Sequence, residues 1–205
     1  MKANVGMTYA VAAPVDTYTP NSGITYDTGF VVSEARGASV TWETEDGEFY
    51  GDNAILDVAN GVLGYTLEFE TAGLKDEVRE DLLGEVKDNS DVYHITGASA
   101  PDVGFGYVKS MRETNDETGA VEDTYEVWWY HKLKFGQPNE EGRTKEKSVD
   151  WRTPTISGKG TGVYLSESDE KPDFAEHKTY STLSAAKSYL NTKAGIEPTP
   201  VITTT

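Results

Sequence analysis

Residues Asp102 to Gly136 read DVGFGYVKSMRETNDETGAVEDTYEVWWYHKLKFG. Two runs rich in Val, Tyr, Trp and Phe flank a polar, acidic, glycine-containing turn. That pattern predicts a long β-hairpin. It is the best-patterned part of the chain, and it carries no catalytic motif. The stretch therefore speaks to architecture first.

Composition agrees with a strand-built protein. The 205 residues suit one domain with elaborated loops or arms. Apolar residues make up 37%, and Gly (20), Tyr (12) and Trp (4) are frequent, which fits short strands joined by glycine-rich turns. The absence of cysteine excludes a disulfide scaffold and a thiolate metal site. No apolar run reaches the length of about 18 residues that a membrane helix needs. The N-terminus, MKANVGMTYAVAAPVDT, lacks the apolar core of a signal peptide and reads as a strand, so the chain is expected to act without secretion. Net charge is −17, which opposes tight nucleic-acid binding because few cations are present to displace phosphate counterions. The acidity fits simple solubility, and it also fits a surface that must stay near DNA without holding it.

Further elements lie on either side of the hairpin. Val5–Val15 and Ile24–Glu34 read as strands, and Val40 and Trp42 alternate with polar neighbours as in a half-buried strand. Glu43 to Gly61 is acidic and reads as a long loop. In Gly64–Thr71, Tyr65, Leu67 and Phe69 face one way and Thr66, Glu68 and Glu70 the other. Leu74 to Leu83 has helical spacing and ends at Gly84. Asp88 to Asp91 is a turn before a short strand at Tyr93 and Ile95. After the hairpin, Ser148 to Tyr164 reads as a strand bent near Pro154, and Ser166 to His177 as a loop. A last helix, Leu183–Ala194, is capped by Thr182 or Ser181 and stopped by Gly195. The tail GIEPTPVITTT is expected to be extended.

The usual chemistries are missing. His94, His131 and His177 have no metal-ligand spacing, and His131 lies within a strand, where a structural role is the ordinary one. Gly158–Gly162 (GKGTG) lacks the spacing and following helix of a phosphate loop and reads as strand glycines. The acidic stretches EDGE, NDETG and DNSD do not match a calcium loop. Trp128, Trp129 and Tyr130 leave a sugar-binding platform as a weaker reading. No cofactor and no enzymatic activity are expected.

The order of several segments resembles the major tail protein family of long-tailed phages infecting Gram-positive bacteria. The segments are VGMTYAVAAP near the start, EFYGDNAI (Glu48–Ile55), EVREDLLG (Glu77–Gly84), VGFGYVKS (Val103–Ser110), VWWYHKLKFGQP (Val127–Pro138), RTPTISG (Arg152–Gly158) and SAAKSYLNTKAG (Ser184–Gly195). The resemblance implies a mainly β, tail-tube-type sandwich or barrel with a short flanking helix, a C-terminal helix and extended arms. It implies one domain over 1–195 and a tail over 196–205. It also implies a virion protein assembled in the host cytoplasm, with rings, typically of six copies, that stack into a tube. The tube holds a tape-measure protein, meets terminator and tip proteins, and conducts DNA without binding it specifically.

Within that frame, Glu68 and Glu70, with Glu43 and Glu45, are expected to line the lumen. Glu43–Gly61 is expected to be the ring-stacking loop, through Asp46, Glu48, Phe49, Tyr50, Asp52, Ile55 and Leu56. In the hairpin, Phe105, Tyr107, Val127 and Trp129 are expected to pack the core, and Trp128, Tyr130, Lys132 and Lys134 to face a neighbouring subunit or solvent. The turn Glu113–Asp123 is expected at the tube surface. A globule of this length should be roughly 40 Å across, so six in a ring leave a hole wide enough for a duplex. The alternative reading is a free-standing β-sandwich that binds carbohydrate or a cell surface, with a β-rich enzyme third.

Overall fold

A computed structural model describes residues 2–32, 35–51, 54–114, 119–138 and 155–197. In chain order these residues form β1 (Lys2–Thr19), β2 (Gly23–Tyr26), β3 (Phe30–Val31), β4 (Ala35–Gly51), β5 (Ala54–Thr71), α1 (Asp76–Leu83), β6 (Val86–Lys87), β7 (Tyr93–His94), β8 (Val103–Thr114), β9 (Val121–Phe135), β10 (Thr155–Gly160), β11 (Ala175–Tyr180) and α2 (Leu183–Lys193). The fold is mainly β. One large antiparallel sheet runs β2-β1-β8-β9-β10-β5-β4, and β6 and β7 form a separate ribbon. β11 and β10 share one edge of β9, β11 along Tyr125–Tyr130 and β10 along Leu133–Phe135.

The sheet rolls until β4 comes against β1. Its inner face encloses Ala10, Ala12, Tyr65, Leu67, Phe69, Phe105, Tyr107, Tyr130, Leu133, Phe135 and Ile156, and α1 adds Val78, Leu82 and Leu83. The outer face of β1, β8 and β9 is buried as well, because α2 lays Ala186, Leu190 and Ala194 over Val11, Ala13, Val108, Val127 and Trp129. Gly104 and Gly106 make that second layer possible. A Cβ on Gly106 would stand 2.6 Å from Leu190 Cδ2, and one on Gly104 2.5 Å from Trp129 Cζ2. In the GFGY run the glycines thus admit Trp129 and α2 on one side, while Phe105 and Tyr107 fill the other.

The helices end as their sequences predict. Gly84 takes a left-handed φ of 72° after α1, and Gly195 one of 64° after α2. Thr182 caps α2 by accepting a bond from the Ala185 N–H at 3.3 Å. α1 is tied down by a buried ion pair: the Arg79 guanidinium meets Glu85, whose side chain is 3% exposed, with Nη2–Oε1 at 2.8 Å.

Four expectations are corrected. Glu43–Gly61 is not a loop, since β4 and β5 pair through it from Glu43↔Gly64 to Gly51↔Ala54. The hairpin faces divide differently: Tyr107 pairs with Trp128, so Trp128 shares the inner face, while Val127 and Trp129 lie under α2. Tyr130, two residues past Trp128, is buried on the same inner face by alternation, and a bulge between Phe105↔Tyr130 and Val103↔Leu133 brings Leu133, three residues on, to the core as well. The segment Ser166–His177 contains the start of β11, whose backbone β9 satisfies. The second strand is split into β2 and β3. Only Thr155–Gly160 of the strand expected at Ser148–Tyr164 is described as strand, residues 148–154 lying outside the described residues, as do 198–205 of the tail.

Candidate functional site

Side-chain alternation along β5 is strict where β10 flanks it. Tyr65, Leu67 and Phe69 are buried, while Glu68 and Glu70 are exposed. Register extends this outer face to the neighbouring strands. Glu68 lies between Ser39 of β4 and Ser157 of β10, Glu70 between Gly37 and Thr155, and Thr66 between Thr41 and Lys159. Lys159 in turn sits beside Lys134 of β9. Thr66 Oγ1 donates to Glu43 Oε1 at 3.4 Å, which puts Glu43 on the same face. Glu45 is exposed two residues on, beyond a register shift between Glu43 and Thr44. Glu43, Glu68 and Glu70 thus share an exposed strand surface of small hydroxyl side chains, glycine, lysine and glutamate. Neither helix covers it, for α1 packs on the inner face and α2 over β1, β8 and β9.

Beyond this face β4 and β5 continue as an arm. β10 pairs with β5 over Tyr65–Glu70, so from Thr44↔Val62 to Gly51↔Ala54 the two strands pair only with each other among the described residues. The arm is about 25 Å long at the usual strand rise. Backbone pairing places Asp46, Glu48, Phe49, Tyr50, Ile55 and Leu56 on it, and Asp52 lies outside the described residues. A two-stranded ribbon alone is marginal in water, so an arm of this length gains stability from any surface it lies against.

At the base of the arm is a groove of about 400 Å³ lined by Trp42, Thr44, Val62, Pro172, Asp173, Phe174 and Ala175. Trp42 is 39% exposed although its alternation marks it as core, and its ring lies 5.4 Å from Tyr65 and 6.3 Å from Phe174. Sequence reasoning missed this groove because Pro172–Ala175 is remote in the chain and reads as loop.

The residues screened for chemistry have structural surroundings. His131 is 3% exposed. Burial holds its pKa below the ordinary value, against the pull of Asp173 and Glu176. Its Nε2 stands 3.5 Å from Asp173 Oδ2, an ion-pair distance that is long for a hydrogen bond. His177 stacks on Trp128 at 4.7 Å, and His94 lies 3.3 Å from Asp88. The GKGTG glycines face the core: Gly158 under Leu133 and Phe135, Gly160 under Tyr65. Of the WWY run, Trp129 and Tyr130 are buried and only Trp128 reaches the surface. Among the described residues no cluster of His, Asp and Glu could hold a metal ion, and no helix is long and apolar enough to cross a membrane.

No known family model matches the chain, and no curated protein matches it.

Proposed function

We propose that the chain is a structural subunit of a phage tail tube, assembling into stacked rings whose lumen holds a tape-measure protein and passes DNA. The observation that carries this reading is the uncovered outer face of β4, β5, β10 and the end of β9. Among the described residues this face has no helix over it and no large apolar side chain, which suits a wet channel wall, and Glu43, Glu45, Glu68 and Glu70 would repel phosphate. The self-paired arm of β4 and β5 supports the reading, because an arm that runs past its flanking strand suits contact with an adjacent ring. The segment order described above supplies the family, and terminator and tip proteins are the partners this role requires.

Electron microscopy of the concentrated, purified protein tests the proposal. Tubes or rings with an open lumen are expected. Dispersed monomers that bind glycans, with the Trp42 groove as the site, would overturn it in favour of a carbohydrate-binding sandwich.

A further inference from the structure

Charge is divided between the two helices. α1 carries Asp76, Glu77, Glu80 and Asp81, all exposed, and no ion pair reaches any of them among the described residues. Its one cation, Arg79, is held by Glu85. Burial first, and then Glu80 and Glu77, raise the Asp81 carboxyl above its ordinary pKa. The segment that follows leaves Val86, Val92 and Ile95 exposed, while its charges pair internally, Lys87 with Asp91 and Asp88 with His94.

α2 is the opposite case. From His177 to Ile196 the chain has three lysines and no acid, although the whole protein carries a net charge of −17. The lysines lie over tyrosine rings: Lys187 Nζ is 4.8 Å from the Tyr9 centroid, and Lys178 5.3 Å from that of Tyr180. Lys193 is engaged by Glu176 at 2.7 Å, whereas no carboxylate pairs with Lys178 or Lys187 among the described residues. The acid beside the helix is Glu176, which accepts from Lys193 and from the Tyr189 hydroxyl, and Arg112–Asp123 farther along the sheet is a closed pair. Lysines on partly exposed tyrosines give a patch that is both cationic and aromatic.

The helices pack on opposite faces of β1 and β9. The acidic face and the cationic face are therefore separate surfaces, and a two-fold contact through either one would set like charge on like. We infer that copies of this chain associate head to tail, the α2 face of one (Tyr9, Lys178, Tyr180, Lys187) against the α1 face of the next (Glu77, Glu80, with Val86 and Ile95). The occupant is a second copy because charge sign and apolar content match across this one chain. Such a heterologous contact closes into a ring or runs on as a filament. The inference rests on the reading that copies assemble with one another, and it names the surfaces that do so within a ring.

A charge swap tests it, with sedimentation velocity and electron microscopy on the full chain and thermal melts to confirm folding. Lys178→Glu/Lys187→Glu should weaken assembly about tenfold or more, as should Glu77→Lys/Glu80→Lys. Glu77→Gln/Glu80→Gln should weaken it less. Raising salt to 1 M should weaken the wild type, since screening then reaches contact distance. The decisive arm is the mixture: the two reversed variants, each defective alone, should assemble when combined, because every α1–α2 contact between them is again opposite in sign. Folded variants that assemble like the wild type, a mixture that stays dissociated, or a wild type monomeric at every salt concentration would overturn the inference. Wild-type tubes with no response to charge reversal would do so while leaving the tail-tube reading standing. Mutual rescue in assemblies without a lumen would uphold the contact and overturn the tube.

Discussion

Replacing Gly160 by alanine tests how the rolled sheet is packed. Gly160 pairs with Tyr65 across β10 and β5, and a Cβ at Gly160 would stand 1.9 Å from Tyr65 Cζ and 2.3 Å from both Cε atoms. Carbon atoms settle near 3.5–4 Å, so the ring must retreat by about 1.5–2 Å. It has nowhere cheap to go. Tyr65 is 1% exposed, lies 5.2 Å from Tyr130 and 5.4 Å from Trp42, and donates its hydroxyl proton to the Lys132 carbonyl at 3.2 Å. Overpacking costs about 1–3 kcal/mol, loss of that hydrogen bond about 1 kcal/mol, and the disturbed ring contacts about 0.5–1.5 kcal/mol. The expected total is about 3–5 kcal/mol, a large share of the roughly 5–15 kcal/mol that holds a domain together. At about 2–4 °C per kcal/mol for a protein of this size, the melting temperature should fall by about 6–20 °C. Urea unfolding followed by tryptophan fluorescence gives the free energy directly. The control is Tyr65→Leu: in that background Gly160→Ala should cost less than about 1.5 kcal/mol, because the clashing ring is gone. An equal cost in both backgrounds would refute the argument and place the strain in the backbone of β10.

Other perturbations separate packing from function. Arg79→Met should cost about 3–5 kcal/mol by stranding the buried Glu85 carboxylate, and Arg79→Met/Glu85→Leu should recover most of it in the same urea titration. His131 is held below its ordinary pKa of 6.5, so the unfolded chain takes up the proton first. Its contribution to stability is complete above about pH 6.5 and is lost as pH falls below that value, a slope that His131→Gln should flatten in melts between pH 5 and 7. Reversing Glu43, Glu68 and Glu70 to lysine should slow DNA ejection from particles carrying the variant without blocking tube assembly, and unchanged ejection kinetics would remove the lumen assignment. Replacing residues 47–59 by Asn-Gly, which joins the paired residues Asp46 and Asn60 through a tight turn, should leave a folded subunit that no longer forms long tubes in micrographs.

The sequence alone determined the elements whose signals are local. The β8–β9 hairpin was legible because aromatic and β-branched runs need no distant partner to be read as strands. α1 and α2 were legible from Gly84, Thr182 and Gly195, since caps are set by the residues beside them. The inner and outer sets of β5 followed from alternation. Tertiary structure decided the rest. Only the rolling of the sheet and the packing of α2 showed that both hairpin faces are buried, since the elements that cover them are remote in the chain. Only pairing across residues 43–61 made an arm of an apparent loop: Glu43–Glu45 and Gly61–Leu63 are exposed, and alternation is enforced only where one face is buried. The Trp42 groove and the opposed charges of α1 and α2 join residues more than a hundred positions apart. Those relations come from how the sheet rolls, which is fixed by the sum of its side-chain contacts and by no single stretch of sequence.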